Sequence, residues 1–182
     1  MSVILPVIVT VVSLATLLQH GWAYRGHFAS DAMPSGAIVL TLIVVAAGLA
    51  DLWALWSGPR WAPAMLAGLV LQLASIWLFW RAIAASRAAR LRLAFDPVLP
   101  GSVVRHGPYR LVRHPFYASY MLFWLGWSVA AWSVWAVPPL LVMVAIYVFA
   151  ARGEEARFTR SPFAGEYQLY RQQVGMFWPR WP

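Results

Sequence analysis

The sequence predicts an all-α integral membrane protein of five spans, and three observations carry that prediction. Of 182 residues, 62% are apolar or aromatic and 11% are charged, whereas soluble domains hold about 45–50% apolar and about 25% charged residues. Long uncharged stretches recur, each near the ~20 residues that a helix needs to cross a bilayer. The remaining charge is one-sided: fourteen basic residues, all Arg, stand against six acidic ones, for a net charge of +8. That excess reads as Arg-rich loops held against anionic lipid rather than as a nucleic-acid surface. The chain contains no Cys, which excludes disulfides, thiolate metal sites and a Cys nucleophile. Its length fits a single membrane domain with no soluble one.

The first span runs from about Val3 to Leu18 and holds no charge. No basic residue precedes Arg25, so the basic region of a signal peptide is missing and the segment reads as a retained span. The second runs from about Gly36 to Trp56 and contains Asp51, which either pairs across the bundle or reaches the interface. The third runs from about Pro63 to Trp80 and stops at Arg81. Between Arg113 and Arg152 lie 38 residues without Asp, Glu, Lys or Arg, too many for one span and enough for two short ones. Pro138-Pro139 marks the turn, since proline suits the first turn of a helix and breaks its interior. The last two spans are therefore a helical hairpin, about Phe116–Trp132 and Pro138–Ala151.

Five spans place residues 81–113, the tail after Ala151 and the first loop on one side. Thirteen of the fourteen Arg then share that side, and Arg60 alone lies opposite. By the positive-inside rule the shared side is cytoplasmic and the N-terminus is outside, as in a plasma membrane of the bacterial inner-membrane type. Trp53, Trp56 and Trp61 at the second loop, with Trp132 and Trp135 at the hairpin tip, fit an aromatic belt. Trp77 and Trp80 close the third span.

Polar residues are scarce, so their clustering carries information. The densest run, Arg105-His106-Gly107-Pro108-Tyr109-Arg110-Leu111-Val112-Arg113-His114-Pro115-Phe116-Tyr117, stands immediately before the fourth span. Gly107-Pro108 reads as a turn. Pro115 suits the first position of the helix, which puts His114 at its N-cap, beside unpaired N–H groups and the positive end of the helix dipole. With Arg113 alongside, this is an anion site, or else a basic loop holding lipid phosphates. The second cluster is Arg152-Gly153-Glu154-Glu155, where the fifth span emerges. Adjacent acids point different ways on a helix, so at most one faces a site; the other reading is salt bridging to Arg157 or a neighbouring Arg. The hairpin brings Glu154 and His114 to the same end. His106, His114 and the Glu pair match no metal-ligand spacing, so no metal is expected.

At these residues the sequence resembles the isoprenylcysteine carboxyl methyltransferases and the related membrane phospholipid methyltransferases. The likeness rests on Gly107, Tyr109, Arg113-His114-Pro115 and Tyr117, then Glu154-Glu155, then Phe163, Glu166-Tyr167, Tyr170 and the final Pro182. It runs from Leu99 to Pro182 and leaves residues 1–98 as scaffold spans and linker. Three departures stand out: Ala150 occupies the position of a family Arg, Ser119 that of a small Gly, and Val174-Gly175 that of a Val-Pro pair, with one residue inserted near Ser161-Pro162.

The resemblance implies S-adenosylmethionine as methyl donor and S-adenosylhomocysteine as product, in a cytoplasmic pocket made by the last two spans and the tail. By position it implies that Val103, Val104, Tyr109, His114, Pro115, Phe116, Tyr117 and Glu154 line the donor site. The donor carboxylate suits the helix N-terminus with Arg113 and His114, its ribose hydroxyls suit Glu154, and its adenine suits Tyr and apolar side chains. The tail after Glu155 is expected to fold over as a lid, with Phe163, Tyr167 and Tyr170 packing down. Arg152 is expected to orient a carboxylate acceptor, which needs no base; an amine acceptor needs one, for which Glu155 or His114 stands ready. The resemblance implies a lipophilic acceptor, an isoprenylcysteine-like carboxylate or else a phospholipid or other small amphiphile, arriving sideways from the bilayer. A non-catalytic lipid-binding bundle, docking anionic membrane lipids on its Arg-rich face, is the reading from another class. The sequence leaves the oligomeric state open.

Overall fold

A computed structural model describes residues 3–28, 33–89, 91 and 94–180, with the backbone alone for residues 24–26. Arg90, Arg92, Pro182 and the Arg25 side chain, invoked above, lie outside the described residues. Six α-helices follow one another: α1 (Ile4–Gly26), α2 (Ser35–Ser57), α3 (Ala62–Ser86), α4 (Pro115–Ala131), α5 (Val137–Phe158) and α6 (Ala164–Gln173). Among the described residues there is no β-strand, and one isolated parallel bridge joins Val112 to Gly175. Four helices, α1, α2, α3 and α5, are long and apolar enough to cross a membrane. Helix α4 has 17 residues, a length of about 25 Å at ~1.5 Å per residue against a hydrocarbon core of about 30 Å.

Proline sets the starts of α3, α4 and α5, where a missing N–H costs nothing. The ends differ from expectation. Helix α1 continues to Gly26, α3 runs past Arg81 to Ser86, and α5 continues beyond Ala151 to Phe158. Loss of apolarity does not stop a helix: Arg, Glu and Ala are good helix formers, and an Arg can extend its charge towards water from a helical backbone. The consequence for α5 is direct, because Arg152 through Arg157 are held on a rigid helix rather than in a loop.

Helix α4 sits in the middle of the bundle. Phe123, Trp124 and Trp127 on it are buried and pack in one core with Leu55, Met65 and Met143. Against α3 the backbones nearly touch: a Cβ on Gly68 would stand 2.4 Å from the Gly126 carbonyl oxygen. Small residues at such crossings let membrane helices approach closely. Ser75 donates a hydrogen bond of 2.7 Å to the carbonyl of Ser119 across the same contact. Asp51 is fully buried, and among the described residues neither of its carboxylate oxygens has a hydrogen-bond partner, so the pairing across the bundle is not found there.

At one end of the bundle, α4 stops at Trp132 in a left-handed conformation (φ 46°) and α5 begins after a short turn. Trp61 and Trp132 lie 4.5 Å apart there, with Trp53 and Trp135 at 6.4 Å. The second loop and the hairpin tip thus share one aromatic end. The opposite end gathers residues 106–114, the close of α5 and the tail.

Candidate active site

The hairpin brings the start of α4 and the last turns of α5 together, and their charged residues interlock. His114 is the N-cap of α4. Its Nδ1 lies 3.6 Å from Glu154 Oε2, and its Nε2 lies 3.3 Å from Glu155 Oε1. Burial alone would lower the His114 pKa, but hydrogen bonds and charge from both glutamates outweigh it and raise the pKa. Arg113 turns its guanidinium onto Glu155, with Nε at 2.9 Å and Nη2 at 2.7 Å from the same oxygen. The Tyr117 hydroxyl, one turn into α4, donates to Glu154 Oε1.

The two adjacent glutamates therefore do different things. Glu155 is buried between Arg113, His114 and Arg171 (Nε at 3.6 Å). Glu154 has 26% of its side chain exposed and stands on the wall of a cavity. The salt bridge anticipated for one of them exists, made with Arg113 and Arg171 rather than Arg157. Helix geometry separates them by about 100° of rotation.

The tail is fastened across this end. Arg113 Nη1 donates to the carbonyls of Arg171 (3.3 Å) and Val174. The backbone N–H groups of Arg113 and His114 donate to the carbonyls of Gly175 (2.8 Å) and Met176 (3.1 Å). Tyr170 donates to the Tyr109 carbonyl at 2.6 Å, Arg105 pairs with Glu166 at 3.3 Å, and Tyr167 stacks on Phe158 at 4.1 Å. Burial raises the pKa of Tyr109, Tyr167 and Tyr170, keeping all three phenols neutral. Gly175 lies in a close backbone turn: a Cβ there would come within 1.8 Å of the Trp178 carbonyl oxygen.

Under this network opens a cavity of about 940 Å³, at the upper end of the range for small-molecule sites. Val103, Val104, Tyr109, His114, Pro115, Phe116, Tyr117 and Glu154 all line it, as do Tyr167 and Tyr170. Its other flank is apolar and lies between α1 and α2, at residues such as Leu14, Leu17, Leu40 and Val44. Phe163 is not on the wall.

The residues expected to act on the acceptor are placed differently. Arg113 lines the cavity, but its guanidinium is taken up by Glu155 and the tail carbonyls. Glu155 and Arg152 do not line the cavity, and Arg152 is exposed. Arg157 lines it instead. That residue was not singled out as a site member, although the signal was present: positions 154 and 157 share a helix face, while 152 lies about 200° round from 154.

Fold and site define a helical membrane protein with a mixed polar and apolar chamber at its Arg-rich end. The model of the phospholipid methyltransferase family matches residues 63–166, and the chain belongs to that family. Family membership implies methyltransferase activity. The match starts in the first turn of α3 and ends in α6, so it includes a helix that the likeness from Leu99 onward left out. A search of curated proteins finds no match.

Proposed function

We propose that this protein is an integral-membrane, S-adenosylmethionine-dependent methyltransferase with a lipophilic acceptor, and that an isoprenylcysteine-like carboxylate is the acceptor chemistry its site suits best. The observation that carries this reading is the convergence of His114, Tyr117 and Glu154 on one wall of a cavity whose opposite flank is apolar. The donor fits the residues present. Glu154 offers carboxylate lone pairs to ribose hydroxyls, the N-terminus of α4 beside the cavity suits the donor's carboxylate, and Val103, Val104, Tyr109 and Phe116 provide an apolar and aromatic bed for a purine. When bound, the donor supplies an electrophilic methyl on a positively charged sulfur.

The chain's own contribution is positioning, which can lower a barrier by about 7–11 kcal/mol. Glu154 is held by Tyr117, and Arg113 and Glu155 lock the tail so that α6 acts as a lid that excludes water. With the donor held by Glu154 and the start of α4, a carboxylate acceptor would take the methyl directly, an O–CH3 bond forming as the S–CH3 bond breaks with its electron pair left on sulfur, and would ask no proton transfer of the chain. An amine acceptor would need a base. His114 lies between two carboxylates with a raised pKa and Glu155 is buried under Arg113, which leaves neither suited to that task. The match to the phospholipid methyltransferase family favours a second reading, a phospholipid or related amphiphile. In both, the acceptor's chain lies in the apolar flank between α1 and α2, reached from the bilayer.

We read α4, which runs beside α3 between the Trp-lined and the Arg-rich ends, as a fifth span, and by the positive-inside rule we assign the N-terminus to the outside and the Arg-rich end to the cytoplasm. Titration of the detergent-solubilised protein with S-adenosylhomocysteine tests the reading. Saturable binding is expected, weakened at least ~10-fold, or ~1.4 kcal/mol, in Glu154→Ala and in His114→Ala. Folded protein that binds no S-adenosylhomocysteine contradicts it and favours a non-catalytic lipid-binding bundle.

A further inference from the structure

The cationic residues on and around the cavity are nearly all spoken for. Arg113 is bound to Glu155 and to tail carbonyls, His114 lies between two glutamates, and Arg105 is paired with Glu166. Arg157 differs. It lies on the cavity wall with Glu154 and Phe158, it is partly buried, and its guanidinium makes no ion pair or hydrogen bond with any described residue. A Cβ on Gly153 would stand 3.7 Å from its Nη1. The side chain therefore folds back one turn along α5, over a residue that has no side chain of its own, instead of extending away from the helix.

A partly desolvated guanidinium without a counter-charge is unfavourable until an anion arrives, and its planar fork matches a carboxylate or phosphate in two parallel hydrogen bonds. Position supplies the rest. The cavity reaches from Arg157, Tyr167 and Tyr170 at the Arg-rich end to Leu14, Leu17 and Val44 between α1 and α2. An amphiphile with its chain among those apolar residues presents its head to the charged end, where donor-facing Glu154 repels an anion and Arg157 attracts one.

We propose that Arg157 holds the anionic head group of the methyl acceptor, so that the acceptor is a chain-bearing carboxylate or phosphate rather than a neutral lipid. This rests on the methyltransferase reading and assigns to Arg157 the acceptor-orienting role that exposed Arg152 is not placed to perform. One oxygen of the head group is fixed by the guanidinium, and the remainder of the head is turned towards the donor.

The test uses purified full-length protein in nonionic detergent, saturated with S-adenosylhomocysteine. Thermal unfolding is followed with palmitate, hexadecyl phosphate or hexadecanol at equal mole fraction in the micelles. At least one anionic amphiphile is expected to raise the Tm saturably while hexadecanol does not; which one responds identifies the head group. Arg157→Gln should weaken that response at least ~10-fold with S-adenosylhomocysteine binding unchanged, Arg157→Lys should restore part of it, and Arg160→Gln should leave it intact. Equal responses to anions and hexadecanol overturn the proposal, as does a loss seen in Arg152→Gln instead of Arg157→Gln. Loss of S-adenosylhomocysteine binding in Arg157→Gln also overturns it, by moving Arg157 to the donor. If wild-type protein binds no S-adenosylhomocysteine, the methyltransferase reading itself fails; binding without head-group discrimination sinks Arg157 alone.

Discussion

The two ends of this bundle are built from similar apolar helices and resolve their chain reversals in opposite ways. At the Trp-lined end, α4 turns into α5 within a few residues, aromatic rings cover the turn, and the single Arg, Arg60, lies over the face of Trp56 at 5.6 Å. At the Arg-rich end the backbone over residues 106–114 holds one short 3-10 turn, Gly107–Arg110, and is otherwise irregular, as it is again after Gln173, and its N–H and C=O groups need partners. Two glutamates and an Arg supply order there, and a cavity opens beneath. Irregular backbone in membrane proteins survives where it is buried in protein or lines a cavity. The charges at this end serve mainly to fix non-helical backbone around a chamber, and among the described residues on its wall Arg113 and His114 are engaged in that network while Glu154 and Arg157 keep groups towards the cavity.

The strongest way to break that comparison is to remove the fastening. Arg113 and Glu155 have side chains only 7% and 9% exposed, so Glu155→Ala leaves a buried guanidinium without its counter-charge. The expected loss is about 3–5 kcal/mol, measured by chemical denaturation in micelles; a loss of about 1 kcal/mol or less, typical of surface pairs, would contradict the fastening role. Next in size is Gly175→Ala, which forces the Trp178 carbonyl away from a Cβ at 1.8 Å. It should destabilise by about 1–3 kcal/mol and speed proteolysis of the tail, and an unchanged cleavage rate would show that the turn is not tight in solution.

A smaller effect follows pH. The His114 pKa is raised above 6.5 in the folded protein, so its stabilisation is fully present below pH 6.5 and is lost as pH rises through the raised value. Stability of the native protein should decline across that window, and His114→Gln should flatten the profile. A native profile as flat as the variant's would remove His114 from the network. The smallest effect sharpens the contrast from the other end: Arg60→Gln should change stability by no more than about 0.5 kcal/mol and leave S-adenosylhomocysteine binding as it was.

Much of this was legible in the sequence because it depends on periods and exclusions. Apolar runs located the four long helices and the shorter α4, the Pro pair located the hairpin turn, and Pro115 placed His114 at an N-cap. The meeting of His114 with Glu154 followed from hairpin topology alone. What stayed hidden depends on side-chain direction and competition among like charges. Nothing in the order Arg152-Gly153-Glu154-Glu155 says that Arg113 takes Glu155 while Glu154 keeps the wall; that follows from how α5 is rotated against α4. Arg152 suits an acceptor by its place in the sequence, two residues before Glu154 where the resemblance implies an Arg nearby, but the rotation of α5 leaves Arg152 exposed and puts Arg157 on the cavity wall. Asp51 was likewise ambiguous, since burial without a partner cannot be read from a sequence position.

Label transfer asks whether the Arg-rich chamber moves a methyl group to a lipophilic acceptor. Purified protein is incubated with methyl-labelled S-adenosylmethionine and a total membrane lipid extract, and the organic phase is counted. The account predicts labelled lipid-soluble product from wild type and a loss of at least ~100-fold, or ~2.7 kcal/mol, in Glu154→Ala at comparable folding. Equal labelling by wild type and Glu154→Ala, or no lipid-soluble label from wild type that binds S-adenosylhomocysteine, would contradict it.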